Sequence, residues 1–157
     1  MTDLLVYWRD YRENLARRLA GEPVAYWHSN SRLLGRLAAG DRLWMVTCGA
    51  AARAEPKEAA FLVAIWNVVE AAENPGDDPD YPPTQYRHRV VADSEESVWF
   101  CEPVPVDHIL RPEKWNKSMP IGRLLQGPRK ISGEKLRLLR AAAGADLAIR
   151  WLVGKKG

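Results

Sequence analysis

The chain is poor in the residues and patterns that announce common chemistries. Of its 157 residues only two are cysteine, Cys48 and Cys101. One disulfide is arithmetically open, but two reduced thiols are the expectation for a cytosolic chain. The three histidines, His28, His88 and His108, are scattered without the paired spacing of a zinc site. The longest uninterrupted apolar run, Ala59 to Trp66, has 8 residues, against the ~20 that span a bilayer. No basic stretch ahead of an apolar one follows Met1, so a secretory signal is not expected and a cytosolic protein is the default. Phosphate-cradling glycine loops, a nucleophile elbow and paired-histidine metal motifs are all missing. Asp77, Asp78 and Asp80 sit among prolines without the spacing of a calcium loop. Ser132-Gly133-Glu134-Lys135 reads as a helix cap. His88, between Arg87 and Arg89, has no identifiable carboxylate partner for base catalysis. These gaps argue against a catalytic residue, a resident metal or a cofactor.

Tryptophan, by contrast, is abundant. There are seven: Trp8, Trp27, Trp44, Trp66, Trp99, Trp115 and Trp151. Charge is unevenly laid out. The total is +3, but residues 51–100 carry 4 basic and 10 acidic groups, and residues 101–157 carry 12 and 5. From Arg111 to Lys130 there are six basic side chains against one acid, Glu113. Such a segment is either a solvated face or a track for an anionic partner.

Length and composition predict one globular domain over residues 1–157. Leu4, Leu5, Trp8, Tyr11, Leu15 and Leu19 recur at steps of three and four, which predicts a helix over 3–20 and makes residues 1–22 an N-terminal helical extension. Strands are predicted near 24–28, 42–47, 60–69, 86–91 and 98–101, forming one curved sheet or barrel with that helix outside it. Phe61 to Val69 is apolar at every position save Asn67, as a strand covered on both sides would be. Residues 70–85 hold four prolines and read as a long acidic surface loop. Ser31 is placed to cap a short helix through Ala38, and Ser132 a final helix through Ala143. The class is α+β: a small mixed β-barrel with flanking helices.

Four segments, taken in order, resemble the EVE domain family of the PUA-like superfamily, which also contains the YTH domains. They are Tyr26-Trp27-His28-Ser29-Asn30-Ser31, the run from Leu37 through Gly40-Asp41 to Val46, the run from Phe61 to Ala71, and Tyr86-Arg87-His88-Arg89-Val90. The resemblance covers roughly residues 23–143. Aligning the aromatic pair places Asn30 at the family lysine and Ser31 at the family serine. A shift of two places His28 and Ser29 there, and both registers stay open. The loop after residue 70 carries Tyr81 but lacks the tryptophan of the YTH base cage. The resemblance implies a PUA-like fold and a non-catalytic reader of a modified base in DNA or RNA, flipped or single-stranded. No membrane is implied as a partner.

On that reading Trp27, Trp44 and Trp66 supply stacking faces. Ser29, Asn30, Ser31 and Thr47 contact the base edge, and Arg87, Arg123 and Arg129 contact phosphates. Trp27 ends a strand and precedes polar residues, so it is expected at the rim of a concave pocket with Ser29 or Ser31 and at least one of Trp44 and Trp66. Plain roles compete: core packing for the tryptophans, and turn and cap duties for Ser29 to Ser31. Two other functions compete as well. A nucleoside-processing enzyme related to ASCH domains would depend on Arg87 and His88. A protein adaptor would work through the acidic loop 70–85, and its binding would lack the steep salt dependence of phosphate contacts.

Overall fold

The structure is a computed structural model that describes residues 1–93, 95–112 and 119–145. Trp115, Trp151, Lys114 and Lys117 lie outside the described residues. The elements in chain order are β1 (Asp3–Tyr7), α1 (Tyr11–Leu19), β2 (Tyr26–Ser29), a 3-10 turn (Leu34–Arg36), β3 (Arg42–Cys48), α2 (Gly49–Ala52), β4 (Ala60–Glu73), β5 (His88–Ala92), β6 (Val98–Pro105), α3 (Asp107–Leu110), α4 (Ile121–Leu124), β7 (Arg129–Lys130) and α5 (Gly133–Ala145).

The helix expected over 3–20 is in fact a strand followed by a shorter helix. Asp3-Leu4-Leu5-Val6-Tyr7 pairs in parallel with Arg42 to Val46. Leu4 and Val6 enter one core while Leu5 enters another. A helix would leave part of this run in water, at about 1.5–3 kcal/mol per large apolar side chain. Helix propensity differs among ordinary residues by only ~0.7 kcal/mol, so two-sided burial decides the local structure. The helical spacing arose by reading a strand and the start of α1 as one element.

The seven strands of the described residues join one mostly antiparallel sheet in the order β2-β5-β4-β3-β1-β7, with β6 also on β4. The central strand is β4. Its first half lies between β3 and β6, and Val68 to Glu73 pair with β5. It therefore runs four residues into the segment read as loop. Glu70 and Glu73 stay exposed there while Ala71 packs on the core. A bulge between Leu62 and Ala64 shifts the alternation by one. Ala60 and Leu62 face the second core, whereas Ala64, Trp66 and Val68 face the first.

The sheet thus has an apolar layer on each side. The first core joins β1 residues (Leu4, Val6) to residues near the other end of the order (Val24, Val90, Ala92), so the sheet is strongly curled around it. Among the described residues no strand pair closes the order into a ring, so the architecture seen is a curled open sheet with flanking helices rather than a closed barrel. The helix expected from Ser31 to Ala38 is reduced to the single 3-10 turn, and α5 begins at Gly133. Both cysteines are free. No described helix is long and apolar enough to cross a membrane.

Candidate functional site

The curl of the sheet brings its two ends to opposite sides of a cavity of about 900 Å³. One wall is the edge strand β2 and the residues after it, Tyr26 to Ser31. The opposite wall is the end of β1 and the entry to α1: Tyr7, Trp8, Arg9, Asp10 and Asn14. A third is the link from α4 to β7, with Gly122, Leu125, Gln126, Gly127 and Pro128. Gly122 lies flat against the Tyr7 ring, and a Cβ there would fall 2.8 Å from Tyr7 Cζ. Tyr81, Gln85 and Tyr86 close the remaining side.

Two tryptophans are on the wall. Trp8 is buried and packed edgewise on Tyr11, Trp66 and Trp99 at centroid distances of 5.5, 5.1 and 4.9 Å. Trp27 is half-buried. It packs on the first core but has no ring or cation partner among the described residues. Next to it Ser29 Oγ accepts from the Ser31 amide at 3.1 Å, and Ser31 Oγ accepts from the Leu33 amide at 3.2 Å. The serines therefore do the turn work expected of them, while Asn30 between them is exposed.

The polar chemistry centres on Asp10 and the loop that follows β4. Tyr81 Oη donates to Asp10 Oδ2 at 3.1 Å. The Tyr81 ring lies parallel to His28, with centroids 4.5 Å apart and planes at 12°. Tyr86 meets Tyr81 edge-on at 5.1 Å, and Arg9 Nη2 donates to Tyr86 Oη at 3.4 Å. Asn74 organises the loop. Its Nδ2 donates to the carbonyls of Tyr81 and Tyr86, each at 2.8 Å, and its Oδ1 accepts from the Gly76 amide at 3.0 Å. Gly76 adopts φ +76°, a turn conformation that other residues resist. Arg89 ties the loop to the sheet by pairing with Asp77 at 3.1 Å, and its guanidinium lies 4.4 Å from the Tyr26 ring centroid.

Burial shapes the titration of these groups. Burial pushes the His28 pKa below the ordinary histidine value, and the nearby Arg89 charge adds to this against the weaker pull of Asp78 and Asp77. The same burial leaves His28 Nε2 without a hydrogen-bond partner among the described residues. Burial, then the Asp10 carboxylate, pushes the Tyr81 phenol up to about 12.

The structure brings together Trp27, Ser29, Asn30 and Ser31 on one wall. Trp44, Thr47 and Trp66 lie elsewhere, because β3 and β4 are the middle of the sheet and their side chains fill its two cores. Trp44 is 2% exposed, with its indole N–H donating to Asp3 Oδ1 at 2.8 Å. Thr47 is fully buried and its hydroxyl donates to the Trp8 carbonyl at 2.9 Å. Trp66 is fully buried behind Trp8. The pocket expected to combine Trp27 with Trp44 or Trp66 thus combines it with Trp8 and tyrosines instead.

Arg87, Arg123 and Arg129 are exposed. None lines the cavity, but each sits beside a residue that does or one removed from it: Tyr86, Gly122 and Pro128. Arg129 is steadied by a 2.7 Å bond to the Leu124 carbonyl. The sequence reading missed Tyr7, Asp10, Asn74 and Tyr86. Signals existed for Asn74, an asparagine just ahead of Pro-Gly, and for Tyr86, which opens the fourth family-like segment. Among the described residues, no three His, Cys, Asp or Glu side chains converge to hold a metal ion.

No protein-family model matches the chain, and no curated protein matches it. Distant structural likenesses exist. One is a Rhodopseudomonas palustris protein determined by NMR, 16% identical with a TM-score of 0.49, covering 92% of this chain and 94% of that one. Another is a Pseudomonas syringae protein determined by X-ray crystallography, 14% identical at 0.47, covering 88% and 97%. A third is a hypothetical protein from Leishmania major, 13% identical at 0.48, covering 92% and 96%. At these identities and scores the likenesses identify no shared function.

Proposed function

We propose that the cavity receives a modified nucleobase of DNA or RNA, flipped or single-stranded, and that the protein is a reader rather than a catalyst. The observation that carries this reading is Trp27, a half-buried indole on a concave wall with no ring or cation partner among the described residues and three hydrogen-bonding residues, Ser29 to Ser31, just beyond His28 on the same wall. Stacking a base on such a ring contributes ~1–3 kcal/mol. Asn30, with the hydroxyls of Ser29 and Ser31, reads the polar edge. Trp44, Thr47 and Trp66 act from behind the wall by fixing β3 and β4. Arg87, Arg123 and Arg129 hold flanking phosphates around the mouth, which positions the ligand without specifying it.

The reading includes kinship with EVE domains and a PUA-like architecture, with the curled sheet as a partly closed barrel, in a cytosolic protein that needs no cofactor. The acidic loop supports it over an adaptor role, because Tyr81 and Tyr86 turn into the cavity and Asp77 is paired with Arg89. The test is a binding screen over oligonucleotides that differ in one base modification, run on the native chain and on Trp27→Ala. A modification preference that Trp27→Ala removes supports the reading. Equal binding of all oligonucleotides by both proteins refutes it.

A further inference from the structure

We infer that His28 carries a second stacking subsite of this cavity, that the Tyr81 ring fills it, and that a heteroaromatic ring with an exocyclic amine takes the place of Tyr81. The inference rests on the base-binding reading and goes further by naming the class of base.

The argument starts from spacing. Two parallel rings at 4.5 Å are already in stacking contact, and a planar group inserted between them needs about twice the separation of one stacked pair. A ligand therefore reaches the inner ring only by displacing the outer one. His28 is the inner ring: it is 8% exposed, sits on a strand, and pairs through its backbone with Arg89 of β5. Tyr81 is the outer ring: it belongs to an irregular loop, and its hydroxyl is held by the part-exposed Asp10 and the neighbouring Asn14 side chain.

What Tyr81 shows the slot is the chemistry the slot accepts. It is a planar ring whose exocyclic atom donates a hydrogen bond to a carboxylate at 3.1 Å. An exocyclic amine on a base reproduces that donor. A carbonyl at the same position would set two acceptors against each other and forfeit the bond to Asp10. The slot therefore favours cytosine-type over uracil-type rings, which differ at this position by amine against carbonyl. Tyr86, edge-on to Tyr81 and bonded to Arg9, remains as the flank of the slot after Tyr81 leaves.

The experiment uses the full chain and short single-stranded oligonucleotides with one central cytosine or uracil, titrated by calorimetry. Tyr81→Ala, Tyr81→Phe, Asp10→Asn and Trp27→Ala are compared with the native protein, and a melting curve for each establishes that it is folded. Removing a competing stacked pair raises the competent fraction, so Tyr81→Ala is expected to bind the cytosine oligonucleotide about 2- to 10-fold tighter. Tyr81→Phe, which keeps the ring but frees it from Asp10, is expected to shift affinity the same way by less, and it serves if the alanine variant does not fold. Asp10→Asn is expected to erase the preference for cytosine over uracil, because an amide can donate to a carbonyl. Weaker binding by Tyr81→Ala or Tyr81→Phe makes Tyr81 a wall of the site and overturns the inference. If Trp27→Ala also loses affinity in that case, the base-binding reading stands without it. If neither oligonucleotide binds the native chain, the inference falls, and the base-binding reading is decided by the screen over modified bases.

Discussion

Asn74 is the residue on which the tyrosine side of the cavity depends most. It is 7% exposed, and its side chain makes three bonds within one loop: two donated to the carbonyls of Tyr81 and Tyr86 and one accepted from the Gly76 amide. Asn74→Ala removes all three and strands the part-buried carbonyls. At about 1 kcal/mol per bond, plus the desolvation of groups left unpaired, the local cost is ~2–4 kcal/mol. Asn74→Asp is nearly isosteric and keeps the acceptor for Gly76. It cannot donate, however, and it turns a negative charge on two carbonyl oxygens, so it is expected to cost more than alanine at neutral pH. The loop can release without unfolding the sheet, so the effect is expected in the loop first. Amide exchange over residues 75–87 is expected to accelerate by about 30- to 1000-fold. The melting temperature is expected to fall by less than the ~4–16 °C that the same cost would give if it were global. Mass-resolved hydrogen exchange beside a melting curve measures both. An aspartate variant milder than alanine, or loop exchange unchanged in both, refutes the bracing role assigned to Asn74.

Trp27→Ala is expected to lower base affinity by ~1–3 kcal/mol while costing less stability than the ~3–5 kcal/mol of a fully buried tryptophan such as Trp66. Parallel melting and affinity measurements on Trp27→Ala and Trp66→Ala check this, and the expected order is reversed if Trp27 is core. Charge reversal at Arg123 and Arg129 is expected to weaken all oligonucleotides about equally, modified or not, and to flatten the salt dependence of binding. Because the His28 pKa is depressed by burial, its contribution to stability is full above the ordinary value of about 6.5 and is lost as pH falls below it towards the native value. His28→Phe is expected to flatten the acid limb of a stability-against-pH curve. The phenols of Tyr7, Tyr11 and Tyr81, all pushed up to about 12, stabilise fully below their ordinary value of about 10 and lose that contribution as pH rises towards 12. Tyr81→Phe is expected to reduce the alkaline loss, with tyrosinate absorbance as the monitor.

Local pattern alone located β3, α5, the first half of β6 and the apolar half of β4, because each pairs a characteristic periodicity or apolar run with turn or cap residues at its ends. It also raised a rim position for Trp27, beside core packing, because a large apolar ring there precedes the polar run His28 to Ser31. Pattern misread Asp3 to Tyr7, where both faces are buried and alternation has no polar residue to reveal it. It missed β7, whose two residues, Arg129 and Lys130, are a strand only because the free edge of β1 lies beside them. It extended β4 too little, because pairing with β5 holds Glu70 to Glu73 in the ladder against their composition. The cavity itself was beyond any local signal. Asp10 and Tyr81 are 71 positions apart, and Arg9 and Tyr86 are 77. They meet because the sheet curls around the first core and one asparagine folds an acidic, proline-rich loop back over the opening. Trp44 and Trp66 have the same chemistry as Trp27, and only their strands' place in the middle of the sheet makes them core and leaves Trp27 on the wall.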